Sequence, residues 1–183
     1  MHLMNRSDKY LKKKFEQIFD TFHQKIFNYI FRVVGNRESA EDVLQDVFLK
    51  IYQGLPNYRE QQKLAPWVFS ITRNVINDYF RKQNVYQSYF SETDDFTNPE
   101  LNSKSENSPE SIVISQEITN SFEKIIVNLS YKLKETFLLR HEAGLSFKEI
   151  SKILDCPVNT LLGRMHLANK EIRTQIKKLL DED

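Results

Sequence analysis

The segment 145–173, LSFKEISKILDCPVNTLLGRMHLANKEIR, constrains the fold of this chain more than any other. Ser146 and Glu149 form an S-x-x-E capping box, in which each side chain satisfies a free backbone N–H at a helix start. Ile150, Ile153 and Leu154 then share one apolar face. Asp155-Cys156-Pro157 stops that helix, because a proline disfavours helical geometry in the residue before it. Asn159 is placed to cap a second, longer helix with Leu161, Met165 and Ala168 as its apolar positions. A short helix, a tight turn and a longer helix make the helix-turn-helix pattern, whose second helix is built to enter a DNA groove.

The rest of the chain must be compatible with that unit. Its 183 residues suffice for one domain or two small ones. No run approaches the roughly 20 apolar residues of a membrane span, so no direct membrane insertion is expected. The N-terminus has charges but no apolar run behind them, so no signal peptide is expected. One cysteine excludes an internal disulfide and fits a reducing cytoplasm, the expected location. Four Gly and five Pro beside 13 Phe and 8 Tyr point to an all-α protein with aromatic cores.

The net charge of +1 hides an uneven distribution. Residues 1–83 hold 14 Lys/Arg against 9 Asp/Glu, whereas residues 84–111 hold one Lys against six Asp/Glu. A basic block predicts a polyanion partner. The acidic stretch is rich in Ser, Asn and Thr, contains Pro99 and Pro109 and lacks periodicity, which predicts a flexible linker. The expected organisation is a helical domain at 1–83, a linker at 84–111 and a helix-turn-helix domain at 112–183.

Three helices are expected before the linker. Phe15, Ile18, Phe19, Phe22, Ile26, Tyr29, Ile30 and Val33 recur at helical spacing, and Gly35 ends that helix. Asn36 caps the next, which buries Ala40, Val43, Leu44, Val47, Phe48 and Ile51. Pro66 suits the first position of the third. Its core face is Trp67, Val68, Ile71, Val75 and Tyr79, with Ile76 at one edge. After the linker, Ile118, Phe122, Ile125, Ile126 and Leu129 form a fourth helix. Leu133, Phe137, Leu138 and His141 form a fifth, ended by Gly144.

No catalytic constellation is present. The four glycines are scattered rather than gathered into a phosphate-cradling loop. The histidines and the cysteine do not share metal-ligand spacing, so neither a metal nor a cofactor is expected. What stands out is the third helix. Arg73, Asn74, Asn77, Arg81 and Lys82 combine phosphate-binding cations with amides able to bond base edges. Trp67, Phe69, Tyr79 and Phe80 are interleaved with them, as in surfaces that stack unpaired bases. Taken alone, the pattern also reads as a core stripe with a solvated face, and for Trp67 and Tyr79 that reading is the stronger. The second helix carries Glu41, Asp42, Gln45 and Asp46 outward, which suits either solvent or a basic helix of a protein partner.

Together these pieces resemble the sigma factors of bacterial RNA polymerase, specifically the extracytoplasmic-function (ECF) group. That group keeps two sigma domains joined by a flexible linker. GNRESAEDVLQDVFLKIYQGLPNY is similar to its polymerase-binding segment and APWVFSITRNVINDYFRK to its promoter-melting segment. LKETFLLRHEAGLSFKEISKILDCPVNTLLGRMHLANKEIR is similar to its fourth domain. The resemblance implies a non-enzymatic factor that binds the polymerase core and promoter DNA and directs initiation. It implies that Asp42, Gln45, Asp46 and Leu49 face the β′ clamp, and that the loop of Asn57, Tyr58, Arg59 and Lys63 holds a flipped minus-ten base. It further implies that Arg73, Asn74, Asn77, Arg81 and Lys82 contact the melting DNA while Trp67 sits in the core. Thr160, Arg164, His166 and Lys170 would face the minus-thirty-five element, and the helices at 118–140 would hold the β flap. The linker would thread the RNA path. An anti-sigma factor is a further candidate partner.

One stretch departs from the family. Its recognition helix usually begins near G-T-V-K-S-R, where this chain has Asn159-Thr160-Leu161-Leu162-Gly163-Arg164. Leu162 replaces a basic residue and Gly163 a serine, while Leu167 and Asn169 stand where arginines are common. Each lost cation removes a phosphate or base contact and flattens the salt dependence. Weak or unusual minus-thirty-five recognition is therefore expected, with Lys148 and Lys152 carrying more of the phosphate contact. Two alternatives predict different behaviour. A stand-alone helix-turn-helix regulator would dimerise on a palindromic site without polymerase. A degenerate sigma-like interaction protein would bind polymerase without starting transcription.

Overall fold

A computed structural model of the chain describes residues 6–59, 63–83 and 122–181. Helix α1 (Arg6–Val34) buries Ile18, Phe22, Ile26, Tyr29, Ile30 and Val33 along one stripe. It ends where expected. Gly35 adopts φ 79°, a left-handed conformation that glycine takes without steric cost, and its N–H donates to the Phe31 carbonyl at 2.7 Å. Asn36 then caps α2 (Arg37–Gly54), its side-chain oxygen accepting from the Ser39 N–H at 2.9 Å. The buried face of α2 is Ala40, Val43, Leu44, Val47, Phe48 and Ile51, as its period requires.

A short 3-10 turn, Leu55–Asn57, leads towards α3 (Leu64–Lys82). This helix begins two residues before Pro66, which therefore occupies its third position rather than its first. Proline is tolerated there because the first-turn N–H groups have no intrahelical acceptor anyway. The buried set also differs from the expected one. Val68, Val75 and Ile76 are buried, but so are Phe69, Thr72 and Phe80, while Trp67, Ile71 and Tyr79 are only half-buried. The physical reason is that α3 packs against α1 and α2 on one side and against a later helix on the other. Phe69 meets Tyr29 edge-on at 5.7 Å, so neither Phe69 nor Phe80 is available to stack bases.

Helical residues 122–128 form α4, followed by α5 (Tyr131–His141), α6 (Phe147–Leu154) and α7 (Val158–Asp181). Gly144, at φ 68°, turns the chain between α5 and α6. Asp155, at φ 48°, ends α6 in the left-handed region. Asn159 does not cap α7. It is the second residue of that helix, and the Pro157 carbonyl accepts the Leu161 N–H at 3.1 Å.

The two helical groups, expected as two small domains on a linker, pack on each other around a continuous apolar core. The expected linker at 84–111 lies outside the described residues, as do Ile118 and the three loop positions 60–62. Helix α5 sits between the groups, against α1 on one side and α6 and α7 on the other. Every residue from Lys134 to Leu139 is consequently buried, not only the apolar stripe. Burial pulls the Lys134 ammonium down to about 8. Between about 8 and its ordinary 10.5 the unfolded chain binds the extra proton, so stability rises with pH in that window. Lys134→Met is expected to raise stability at pH 7 by about 3 kcal/mol. Denaturant titrations should show that gain shrinking as pH passes from neutral to alkaline.

Candidate nucleic-acid interface

Two regions of the molecule gather groups suited to nucleic acid. The first lies where α2 and α3 diverge. An open groove of about 370 Å³ is lined by Lys50, Gly54, Asn57, Trp67, Ile71, Asn74, Val75 and Asp78. Trp67 supplies its aromatic floor, and Tyr58, outside the lining, contacts that ring at 4.8 Å between centroids. Gly54 makes room for that floor, because a Cβ there would sit 3.1 Å from the Trp67 ring. Asn57 and Asn74 reach the rim, both exposed. A flat apolar floor with amides above it can stack a planar base and read its edge. Trp67, expected in the core, is half-buried and forms part of this surface.

Along α3 the remaining expected contacts divide. Arg81 and Lys82 are exposed at its C-terminal end, Arg81 also pairing with Asp78 at 2.7 Å. The Asn77 Oδ1 is buried with no hydrogen-bond partner. Arg73 is turned inwards. Its Nε donates to Glu135 Oε1 on α5 at 2.8 Å, and the Tyr131 hydroxyl donates to the same oxygen at 3.3 Å. Burial raises the pKa of the Glu135 carboxyl, an effect opposed by Arg73 and by the Tyr131 hydrogen bond. Burial also works against the Arg73 charge, but Glu135 outweighs it and leaves the guanidinium a firmer cation than usual. Buried Tyr29, beside the pair, has its hydroxyl pKa pushed well up by burial and further by Glu135.

Two more contacts join the same halves. Arg32 on α1 donates from Nε to Glu123 Oε2 at 2.7 Å and also pairs with Glu142. Lys63, just ahead of α3, reaches Glu149 of the capping box at 2.9 Å. Lys63 and the Ser146 hydrogen bonds hold the Glu149 carboxyl down to about 2. Of the cations expected to meet DNA, Arg73 and Lys63 are thus held by acidic groups of the helix-turn-helix half. No local period in the sequence signals this, since the partners lie far apart along the chain.

The second region is the helix-turn-helix itself. Its capping box forms, the Ser146 Oγ accepting the Glu149 N–H while Glu149 accepts the Ser146 N–H at 2.8 Å. Ser146→Ala is expected to cost about 1 kcal/mol, measured by denaturant unfolding. The Glu149 contribution should be fully present above pH 4.5 and lost as pH falls through about 2. Lys148 and Lys152 are exposed on α6, and Thr160, His166 and Lys170 on α7. Arg164 is half-buried, and its charge acts on Glu135 rather than standing clear of the body.

On the far side of α2, Asp42, Gln45, Asp46 and Leu49 are all exposed and, at spacings of three and four, lie on one face. Two aromatic neighbours were missed by periodicity. Phe19, expected in the core, is 42% exposed, and Tyr52 is 55% exposed. Their rings contact Phe48 at 4.9 Å and Phe15 at 5.4 Å, which extends the acidic face into an apolar patch with Leu49. Among the described residues no acidic, His or Cys group could hold a metal ion, and no helix is long and apolar enough to cross a membrane.

Comparison with known proteins matches both halves. The family model for sigma-70 region 2 matches residues 18–85, and that for sigma-70 region 4 matches residues 119–172. The chain is 28% identical over 170 residues to the ECF RNA polymerase sigma factor SigW of Bacillus subtilis, covering 90% of each protein. It is 27% identical over 182 residues to the ECF RNA polymerase sigma-E factor of Escherichia coli K12, covering 97% of this chain and 94% of that one. Its fold resembles the sigma factor RpoE solved in complex with the anti-sigma factor NepR from Bartonella quintana. That likeness has a TM-score of 0.70 at 20% identity and covers 90% of this chain and 98% of that one. CnrH, solved with the cytosolic domain of CnrY, gives a TM-score of 0.61 at 18% identity and covers 94% and 90%.

Proposed function

Because this chain belongs to the sigma-70 family, as an ECF RNA polymerase sigma factor, we propose how its two halves share the work of promoter recognition. The protein binds the polymerase core and promoter DNA and directs transcription initiation. It performs no bond chemistry of its own and acts in the cytoplasm, where its polymerase is. Residues 1–83 form the domain that docks on the core and opens the minus-ten region, residues 112–183 form the domain that reads minus-thirty-five, and residues 84–111 connect them.

Asp42, Gln45, Asp46 and Leu49 meet the β′ clamp, with Phe19 and Tyr52 adding apolar area at the edge of the contact. A charged face bordered by aromatics suits a partner helix that is basic on one side and apolar on the other. The groove between Trp67 and Asn74 receives one unstacked base of the melting element. Stacking on Trp67, which Tyr58 supports, replaces the lost base-pair neighbours, and Asn57 and Asn74 bond the exposed edge. Arg59, Asn77, Arg81 and Lys82 hold the adjoining backbone. On the second half, Lys148, Lys152 and Lys170 bind phosphates while Thr160, Arg164 and His166 face the groove. The segment 118–140 holds the β flap.

The single observation that carries this reading is the amide-rimmed aromatic groove between α2 and α3. The ion pairs of Arg73 and Lys63 add a step. The packed arrangement keeps two DNA-facing cations occupied, so loading on polymerase must part the halves before both read a promoter. Photo-cross-linking tests the assignment. A cross-linker at Asn74 should capture the non-template strand only in the open complex, and one at Gln45 should capture β′ in the absence of DNA. Capture of β′ from position 74, or of DNA from position 45, would reverse the roles.

A further inference from the structure

Helix α7 presents an unusual outward face for the reading helix of a helix-turn-helix. Its buried side is Leu161, Met165, Ala168 and Ile172. Around the exposed side, the first three turns carry Asn159, Leu162, Gly163, His166 and Leu167, with Lys170 further on, and the two leucines, five residues apart, stand at its two edges. Leu162 is 47% exposed and Leu167 53% exposed. Gly163 stands between them, and a Cβ added there would meet nothing within 4 Å. Two bare leucines therefore flank a notch in a face that carries no fixed positive charge before Lys170.

An exposed leucine alone says nothing. Two of them on this face do, because of what the helix is placed to enter. The N-terminal residues of the second helix of a helix-turn-helix approach base edges in the major groove. The one apolar feature of that groove is the C5-methyl of thymine. Lys148 and Lys152 on α6 and Lys170 and Arg173 on α7 are exposed on the same helix-turn-helix unit and supply phosphate-binding charge. That setting fits duplex DNA rather than an apolar helix of a protein, which would leave those cations without acceptors. Gly163 lets the helix backbone settle close to the groove floor, which short leucine side chains require in order to touch a methyl.

We propose that Leu162 and Leu167 are specificity-determining residues that read thymine methyl groups in the upstream promoter element. This rests on the assignment of the second half as the reader of that element. It replaces charge-based readout with contacts that salt does not screen. Burying one methyl group is worth about a fourfold preference.

The test uses holoenzyme assembled from core polymerase and the full-length protein. A promoter that fires is given a randomised upstream element, and the bound fraction is sequenced. Thymines on either strand should be enriched at two positions. Each is then replaced by uracil, which lacks only the methyl. Wild-type holoenzyme should lose about fourfold in affinity per uracil. Leu162→Ala should make thymine and uracil equivalent at one position, and Leu167→Ala at the other. Because both bases are compared on one protein, folding of the variants does not enter.

Indifference to uracil on a promoter that still fires would overturn the inference and leave the sigma assignment standing. So would leucine variants that bind the thymine promoter as well as wild type, which would assign this face to a protein partner. Failure of every promoter to fire would instead remove the assignment on which the inference rests.

Discussion

Polymerase carrying the Trp67→Ala/Asn74→Ala variant is expected to open promoters about a hundredfold less well than wild type. Loss of one base-aromatic stack costs about 1–3 kcal/mol, and loss of an amide bonded to a base edge costs a similar amount. The two act on the same flipped base, so they need not add in full. Permanganate reactivity of unpaired thymines reads the opening directly. Core binding should change by less than about twofold, because Asp42, Gln45, Asp46 and Leu49 lie on the outward face of α2, away from its packing with α3. Asn74→Ala alone provides a control on folding. Asn74 is exposed, so its truncation leaves the core intact and still removes the base-edge contact.

The second large effect concerns the contact between the halves. Removing one member of a buried ion pair leaves the other charge without a partner, at a cost of about 3–5 kcal/mol. Arg73→Ala strands Glu135, which is fully buried beside Tyr29 and Tyr131. The free protein should therefore lose that much stability or part its halves to rehydrate the carboxylate. Small-angle scattering separates these outcomes, since parting raises the radius of gyration without loss of helix. Glu135→Gln keeps Arg73 and frees it. Free Glu135→Gln protein should bind an unpaired minus-ten oligonucleotide more tightly than wild type, whereas Arg73→Ala, which has no cation to release, should show no such gain. Equal binding by the three proteins would show that the packed arrangement does not withhold Arg73 from DNA.

Local rules made much of this molecule legible. Gly35 at a helix end, Asn36 as a cap and the Ser146–Glu149 box all act over a few residues, and each is in place. So is the buried face of α2, whose period is uninterrupted. Asn159 failed as a cap because Pro157 and Val158 already start the helix before it. The period of α3 gives one apolar stripe with a polar back, but the helix has neighbours on two sides, so Phe69 is buried against Tyr29 and Phe22 of α1 and Phe80 lies against Tyr131 of α5. The same logic buries Lys134 and Glu135 in α5.

The candidate site shows the same division. Asn74, Arg81, Lys82, Lys148 and Lys152 stand exposed where helical phase puts them. The pairing of Arg73 with Glu135, of Arg32 with Glu123 and Glu142 and of Lys63 with Glu149 depends on how two distant helical groups meet. No spacing along the chain encodes such a meeting. Phe19 was misplaced for a related reason. It has helical phase close to that of buried Ile26 and Ile30, but its ring leans onto Phe48 at the edge of the core instead of entering it.

The most direct test of the whole account is run-off transcription over genomic fragments with purified core polymerase, with and without this protein. Discrete new start sites that vanish with Trp67→Ala/Asn74→Ala, while the variant still binds core, are the predicted result. Core binding without a single new start, or operator binding by the free protein with no core binding, would contradict it.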